Sequence, residues 1–397
     1  MVETVTETNT AVAAEKGGPV VLQVLPSLVT GGVERGTVDV ARAIMEAGGT
    51  ALVASSGGIM TAELARAGAT HFELPVHSKN PLTIRKNIER LQALIAEQGV
   101  EIIHARSRAP AWSAYYAAQR AGIPFVTTFH GNYSAGSLLK RAYNSVMARG
   151  DRVIAISDFI ADQLVSRYGA DPKRVITVPR GVDVANFDPE AVTGSRLIQL
   201  AEQWRVPEDY RVVLLPGRLT RWKGQGVLIE ALSRLHDRSG IRCILAGSAQ
   251  GRDHYVRELE NDIARCGLQD TVHLAGECRD MPAAMLMADL VISTSIEAEA
   301  FGRVIVEAQA MGRPVIATDH GAARETVRHG ETGWLVPPGD ADALAHMLEY
   351  VLSIDEETRE QVAYRAMENA RSTYTREQMC ARTLGVYRDV LEEFGRG

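Results

Sequence analysis

The sequence predicts an α/β protein with two doubly wound, Rossmann-like domains that face each other across a cleft. Short apolar, β-rich runs alternate with longer amphipathic segments along the chain. The apolar runs are continuous rather than alternating, which is typical of parallel strands covered by helices on both faces. This rhythm breaks at 181–210 and then restarts, which indicates a second domain of the same class. Because open α/β sheets bind ligands at the carboxyl ends of their strands, the cleft is the expected site.

The first domain is expected at 19–185 and the second at 186–375, with a helix at 376–397 that packs back on the first. The candidate strands of the first domain are Val20–Leu25, Ala51–Ala54, Ile102–His104, Phe125–Thr128 and Val153–Ile156. Those of the second domain are Val212–Pro216, Cys243–Ala246, Val272–Leu274, Leu290–Ser293 and Val315–Ala317. Residues 1–18 are polar and low in aromatic residues, so we expect a disordered tail there.

Composition excludes several classes of protein. The net charge of −6 over 397 residues argues against a general nucleic-acid binder. Four cysteines without a CxxC spacing predict neither a disulfide framework nor a zinc site, and fit free thiols in a reducing cytoplasm. The N-terminus lacks the pattern of a signal peptide, and no apolar run approaches the ~20 residues of a membrane helix. We therefore expect a soluble, cytoplasmic protein.

The first chemical motif is Pro-Gly-Arg-Leu-Thr-Arg-Trp-Lys-Gly at 216–224, between a predicted strand and a predicted helix. Gly217 lets the chain turn sharply, and Arg218 and Lys223 then lie on a loop beside a helix N-terminus. Two cations near free backbone N–H groups suit a phosphate or a diphosphate. An exposed basic loop without a ligand is the alternative reading of these residues alone.

The second motif is Glu-Ala-Glu-Ala-Phe-Gly-Arg-Val-Ile-Val-Glu-Ala at 297–308, after the strand Leu290–Ser293. Glu299 lies on the loop, and Glu307 lies eight residues later, inside the following helix. Carboxylates suit paired hydroxyls because each oxygen can accept a hydrogen bond. Gly302, at the helix start, leaves backbone N–H groups open to phosphate. Glu297 is better explained as a complement to the helix dipole.

Together these motifs resemble the family 4 retaining glycosyltransferases of the GT-B fold, over nearly the whole chain from Val20 onward. The segments Ala-Gln-Ala-Met-Gly-Arg-Pro at 308–314 and Gly-Glu-Thr-Gly-Trp-Leu-Val at 330–336 add to the resemblance. It implies that Arg218 and Lys223 bind the donor diphosphate, that Glu299 contacts the transferred sugar and that Glu307 holds the ribose. It also implies further phosphate contacts from the backbone of Phe301, Gly302, Arg303 and Val304.

Three segments of the first domain extend the resemblance. Gly31-Gly32, after the first strand, resembles the family's loop that closes over the donor phosphate and the acceptor. His130, at the end of the strand Phe125–Thr128, resembles the family's histidine beside the reacting sugar, although a lone histidine is more often structural. Arg180, in Val-Pro-Arg-Gly-Val-Asp, stands where the family commonly has Asn, which leaves open whether position 180 makes a contact.

A basic stretch indicates a surface for an anionic partner. Residues 102–152 contain one acidic residue, Asp151, and seven basic ones: Arg106, Arg108, Arg120, Lys140, Arg141, Arg149 and Arg152. Within this stretch, Leu138, Leu139, Tyr143 and Val146 give the segment 133–149 an apolar side. Such a helix can lie on an anionic bilayer, or it can be an ordinary amphipathic core helix.

The expected function is transfer of a sugar, with retention, from a UDP- or GDP-linked donor to a saccharide or lipid-linked acceptor, as in lipopolysaccharide or other cell-envelope glycan synthesis. His130, Arg218, Lys223 and Glu299 are the candidate catalytic residues. Neither a cofactor nor a metal is expected, because the two cations can neutralise the leaving diphosphate. The alternatives are a nucleotide-sugar epimerase of the same fold and a non-catalytic nucleotide-sugar binding protein.

Overall fold

A computed structural model of the chain describes residues 17–29, 31–133 and 137–395. The predicted disordered tail, apart from Gly17 and Gly18, lies outside the described residues. Within them, every helix is too short or too polar to cross a lipid bilayer.

The first domain is built on a parallel sheet of seven strands in the order β3-β2-β1-β4-β5-β6-β7. The strands are β1 Val20–Val24, β2 Thr50–Ser55, β3 Thr70–Glu73, β4 Ile102–Ala105, β5 Phe125–Phe129, β6 Arg152–Ala155 and β7 Val175–Thr177. The helices are α1 Gly32–Glu46, α2 Thr61–Arg66, α3 Pro81–Gln98, α4 Arg108–Ala121, α5 Leu138–Asn144 and α6 Asp158–Tyr168. The central strands are buried along almost their whole length, as the continuous apolar runs require.

The second domain repeats this plan with a parallel sheet of six strands in the order β10-β9-β8-β11-β12-β13. The strands are β8 Arg211–Pro216, β9 Ile241–Ala246, β10 Val272–Gly276, β11 Leu290–Ser293, β12 Val315–Thr318 and β13 Trp334–Val336. The helices before the C-terminal one are α7 Gly194–Trp204, α8 Gln225–Ser233, α9 Asp253–Arg265, α10 Met281–Met287, α11 Arg303–Ala310, α12 Ala323–Thr326, α13 Ala341–Ser353 and α14 Glu356–Thr373. The predicted fold class, two Rossmann-like domains across a cleft, is thus confirmed.

The structure also contains elements that the sequence pattern did not predict. Strand β3 at the sheet edge is only half-buried, and its residues Thr-His-Phe-Glu carry one large apolar side chain. Helix α7 lies inside the segment that we predicted as a connection, although Trp204 is buried almost completely. Short edge strands give little periodic signal because few of their residues enter the core. Helix α7 is amphipathic, with Leu200 and Trp204 on its buried side, and it was missed because the glycine, aspartate and proline residues of the segment indicate a connection.

The C-terminal helix α15, Arg376–Glu393, lies against α1 of the first domain. Its Tyr387 is fully buried, and the hydroxyl lies 2.6 Å from Nδ1 of His104 on β4. Nε2 of His104 lies in turn 2.7 Å from the hydroxyl of Thr128 on β5. Burial raises the pKa of Tyr387 and lowers the pKa of His104, so both groups are neutral and the chain of hydrogen bonds carries no buried charge. The helix is therefore attached to the first sheet by a buried polar link as well as by apolar packing.

We expect Tyr387→Phe to lower the stability of the protein by about 1–3 kcal/mol, because it leaves a buried nitrogen of His104 without its partner. The midpoint of urea-induced unfolding measures the effect. Tyr364→Phe, on the exposed face of α14, is the matched control and should change stability by less than about 0.5 kcal/mol. Equal effects of the two changes would contradict the structural role of this link.

Candidate active site

A cavity of about 660 Å³ lies between the two domains and is lined by both of them. It lies at the carboxyl ends of the two sheets, where its lining residues follow β1, β5 and β6 of the first sheet and β8 and β11 of the second. Most of the predicted site residues line it: Gly32, His130, Gly217, Arg218, Lys223, Glu299, Phe301, Gly302 and Arg303. Three predicted site residues do not line the cavity, although their neighbours in the sequence do: Gly31, Val304 and Glu307.

The loop after β8 is fixed against the loop after β11 by close backbone contact. Gly224 has a φ of +74°, and a Cβ at this position would lie 1.9 Å from the carbonyl oxygen of Thr294. The Thr294 hydroxyl donates to the carbonyls of Lys223 and Gly224, at 3.2 and 3.0 Å. The backbone N–H of Ile296 donates to the carbonyl of Trp222 at 2.7 Å. The two motifs, about 80 residues apart in the chain, therefore form one surface.

Lys223 and Glu299 form an ion pair on this surface, with Nζ 2.7 Å from Oε1 and both side chains less than a fifth exposed. The Ser295 hydroxyl also donates to Glu299. Burial raises the pKa of Glu299, but the charge of Lys223 and the hydrogen bonds from Lys223 and Ser295 outweigh it, so the net pKa is lowered. Glu299 is thus an ionised hydrogen-bond acceptor at neutral pH. The sequence placed the two residues in one site but did not predict that they pair.

The second motif ends in the helix α11, which begins directly after Gly302. Gly302 has a φ of +75°, a left-handed conformation that suits glycine. Arg303, the first residue of the helix, lines the cavity and donates to the carboxylate of Glu307 one turn later. Glu307 itself is buried, with 7% of its surface exposed. The carboxylate of Glu307 is thus paired with a residue that lines the cavity, and the ribose contact of Glu307 stays a prediction.

The cavity carries a positive surplus. Arg180, Arg218, Lys223 and Arg303 line it, against the carboxylates of Glu297 and Glu299. The Arg218 side chain is exposed and makes no ion pair among the described residues. A cation without a counter-ion at the mouth of a cleft favours an anionic ligand.

Arg180 is the site residue that the sequence left open. It is buried, with 7% of its surface exposed, and burial with the charges of Arg303 and Arg106 lowers its pKa to about 9. Its Nη1 lies 3.1 Å from Nδ1 of His130, and its Nη2 donates to the carbonyl of Gly32. The only feature of the sequence that singled out Arg180 was that the resembling family commonly has Asn at this position.

One expectation about the basic stretch 102–152 is wrong. Arg106 is not on the surface: it is 3% exposed, and it donates to the Gln23 side chain at 2.8 Å. In the segment 133–149, Val146 is fully buried, as the alternative of an amphipathic core helix requires, and α5 is followed directly by a 3-10 turn at Ser145–Ala148. Of the four apolar residues predicted to form one side of this segment, Leu138 and Leu139 are exposed, each by 84%, whereas Tyr143 and Val146 are not.

Hydrogen bonds between side chains and backbone groups hold the domains together beside the cavity. The Ser157 hydroxyl, at the start of α6, donates to the carbonyl of Ala300 at 2.6 Å. The Glu325 carboxylate of α12 accepts from the backbone N–H groups of Asp158 and Phe159, at 2.9 and 2.7 Å. A carboxylate at a helix N-terminus is favourably placed in the field of the helix. The described structure is therefore one in which the cleft walls already touch.

Comparison with known proteins agrees with this architecture. The model of the family "Glycosyltransferase Family 4" matches residues 30–186, and that of "Glycosyl transferases group 1" matches residues 198–369. A protein of Xylanimonas cellulosilytica named D-inositol 3-phosphate glycosyltransferase is 33% identical over 288 residues, which is 67% of each chain.

Two solved structures are similar over almost their whole length. A glycosyltransferase of Rickettsia africae is 37% identical with a TM-score of 0.88, over 94% of this chain and 99% of that one. The Anabaena protein HepE, solved with UDP and glucose, is 26% identical with a TM-score of 0.82, over 94% of this chain and 100% of that one.

The positive surplus of the cavity predicts that inorganic pyrophosphate raises the thermal unfolding midpoint, because ligand binding stabilises the folded state. Arg218→Ala should weaken this binding about tenfold or more, the worth of one charge-assisted hydrogen bond. Arg257→Ala, an exposed arginine on α9 of the same domain, should leave it unchanged. An equal response of the two variants would mean that pyrophosphate does not bind at Arg218.

Proposed function

This chain belongs to the family 4 and group 1 glycosyltransferases of the GT-B fold, and from that premise we propose that it transfers a hexosyl group from a UDP- or GDP-linked donor, with retention. The proposed acceptor is a saccharide or a lipid-linked molecule in lipopolysaccharide or other cell-envelope glycan synthesis. The observation that carries the proposal is that Arg218, Lys223 and Glu299 line one cavity at the carboxyl ends of both sheets.

The donor part of the proposal follows from the charges in the cavity. When the bond to the sugar breaks, negative charge grows on the diphosphate and positive charge grows at the anomeric carbon. Arg218 and Lys223 stabilise the diphosphate, and they need no metal for this role. Lys223 is already paired with Glu299, so the lysine, the carboxylate and the bound sugar form one hydrogen-bonded group. The UDP and glucose bound to HepE support a UDP-sugar as the first donor to test.

The direct experiment is a screen of UDP, GDP and ADP sugars by thermal shift, followed by incubation with the stabilising donor. A glycosyltransferase hydrolyses its donor slowly without an acceptor, whereas an epimerase returns an isomeric donor and a binding protein leaves it intact. The coupling of the anomeric proton in the NMR spectrum of the glycoside product reports retention or inversion. Donor binding without hydrolysis, and without transfer to any acceptor, would contradict the proposal.

We expect Lys223→Ala to lower turnover on the order of 10²-fold or more, because it removes a preorganised cation from the leaving group. Initial rates of donor hydrolysis measure this, and circular dichroism checks that the fold is intact. Lys173→Ala, an exposed lysine remote from the cavity, is the matched control. Normal turnover of Lys223→Ala would remove the assignment of this residue to the diphosphate.

The acceptor part of the proposal rests on a second cavity in the first domain. It has a volume of about 510 Å³, and His77, Lys79, Arg108 and Lys140 line it without a carboxylate. Arg108 also stacks on the ring of Tyr133, which lines the main cavity, so the two cavities are neighbours. Such a surface favours an acceptor with an anionic group, and the relative of Xylanimonas carries a phosphorylated polyol in its name.

The position of α5 favours a lipid-linked acceptor over a free one. Lys140 of α5 lines the basic cavity, and Leu138 and Leu139 of the same helix are almost fully exposed. Exposed leucines next to lysine and arginine side chains suit the surface of an anionic bilayer. A lipid phosphate could thus reach the basic cavity while its acyl chains stay in the membrane.

We expect the protein to sediment with vesicles that contain an anionic phospholipid, and to be released by salt. The double change Leu138→Ser with Leu139→Ser should reduce binding at least tenfold, because it removes most of the apolar area of α5. Ile198→Ser on α7, which removes an apolar residue that is 63% exposed from the second domain, should have no effect. Absence of sedimentation at low salt would remove the membrane proposal and leave the transfer reaction untouched.

A further inference from the structure

We infer that Arg180 is a positioning residue for His130: it holds the imidazole in the neutral form that carries its proton on Nε2, so that the ring meets the bound sugar as a hydrogen-bond donor and not as a base. This inference rests on the proposed function only for the identity of the ligand. The form of the imidazole is a property of the protein itself.

The side chains of Arg180 and His130 are in direct contact. Nη1 of Arg180 lies 3.1 Å from Nδ1 of His130. A guanidinium carries only donors, so Nδ1 has to be the acceptor, and the proton of a neutral ring then lies on Nε2. Although burial lowers the pKa of Arg180 to about 9, the group keeps its proton at neutral pH. The assignment therefore follows from the chemistry of arginine and not from a choice between two equivalent networks.

The surroundings of His130 keep its imidazole neutral. Burial lowers its pKa well below the ordinary value, and the charges of Arg106 and Arg180 lower it further. Both guanidinium groups approach Gly36 of α1, where a Cβ would lie 3.1 Å from Nη2 of Arg106 and 3.2 Å from Nη2 of Arg180. A doubly protonated imidazole next to two buried guanidiniums would be strongly disfavoured.

The other ring nitrogen of His130, Nε2, is buried without a hydrogen-bond partner in the described part of the chain, and His130 lines the main cavity. A buried donor without a partner costs about 1–3 kcal/mol, so such groups in native structures call for an explanation. A hydroxyl of the bound sugar, accepting from Nε2, recovers this energy only when the ligand is present.

Arg180 also connects the histidine to the head of α1. Its Nη2 donates to the carbonyl of Gly32, at the start of that helix. His130 follows β5, Gly32 follows β1, and Arg180 lies on the connection between the domains, so one side chain fixes three segments of the cleft wall. An amide at position 180 is shorter than an arginine and has fewer donors, so it cannot make both contacts from the same backbone.

The form of the imidazole can be read in the unchanged protein. Selective ¹⁵N labelling of its ten histidines, with His130→Gln to assign the signal, gives the two ring nitrogens of His130 in a long-range proton–nitrogen spectrum. We expect the proton on Nε2 throughout the neutral pH range. A proton on Nδ1, or a doubly protonated ring, overturns the inference even if the protein proves to be an active transferase.

A double-mutant cycle tests whether Arg180 acts through His130. Arg180→Met keeps most of the side-chain volume and removes the donors, and we expect it to lower kcat for donor hydrolysis about tenfold, or 1.4 kcal/mol. In a His130→Ala background the same change should cost less than about twofold, because the group that it positions is absent. Equal losses in both backgrounds overturn the inference, since Arg180 would then act on the donor directly.

Arg180→Asn, the residue common at this position in the family, is the second variant and places a smaller neutral group there. Circular dichroism and the thermal midpoint check the fold of each variant. If no nucleotide sugar is hydrolysed at all, the proposed function fails, while the spectrum of the labelled protein still decides the form of His130.

Discussion

The close approach of the loops after β8 and β11 is the constraint on which the second half of the site depends. These strands are neighbours in the sheet although β9 and β10 lie between them in the chain. Their loops meet at Gly224, where any side chain would collide with the carbonyl oxygen of Thr294. This contact brings Lys223 to Glu299, and the ion pair compensates for the partial burial of both groups. Without the glycine, each charge would have to find a counter-ion elsewhere or remain in solvent.

The same logic places the first half of the site. The sheet of the first domain reverses its order between β1 and β4, and α1 begins at Gly32 after β1. The cleft wall here contains Arg180 and lies over Arg106, which are both buried and have the same charge. The pKa of Asp39 is raised, chiefly by burial, although the charges of Arg35, Arg376 and Arg180 act in the opposite direction. The two buried guanidinium groups therefore disfavour each other, and a negative charge beside them offsets part of this cost.

The central part of each sheet could be predicted from the sequence because strands such as β1, β4 and β11 are almost entirely apolar. The edges could not: β3 contains a threonine, a histidine and a glutamate, and β13 is only three residues long. For the site, the positions of Arg218, Lys223 and Glu299 after strands were enough to place them in one cavity.

The contacts within the site could not be predicted in the same way. Lys223 and Glu299 are 76 residues apart, and Arg180 and Gly32 are 148 residues apart. No periodic pattern in one sequence reports such pairs, because they depend on which strands become neighbours within each sheet and on how the loops after those strands meet. Arg106 shows the converse error: a basic residue in a basic stretch is not necessarily on the surface, since the strand that precedes it can carry it into the interior.

The two segments that connect the domains lie side by side next to the cleft. The chain passes between the domains first after β7 and again between α14 and α15, and the two passages are bonded to each other. The backbone N–H of Val182 donates to the carbonyl of Tyr374, and that of Arg376 donates to the carbonyl of Val182, at 2.8 and 2.9 Å. Asp183 and Arg376 form an ion pair across the same contact, at 2.7 Å.

Motion of one domain relative to the other has to be absorbed where few segments cross, so this double passage is the natural pivot. Arg180 lies two residues before Val182, and it holds both His130 and Gly32. His130, Gly32 and Arg180 all precede this passage in the chain, so the contacts that orient the imidazole lie within the first domain and do not cross the pivot.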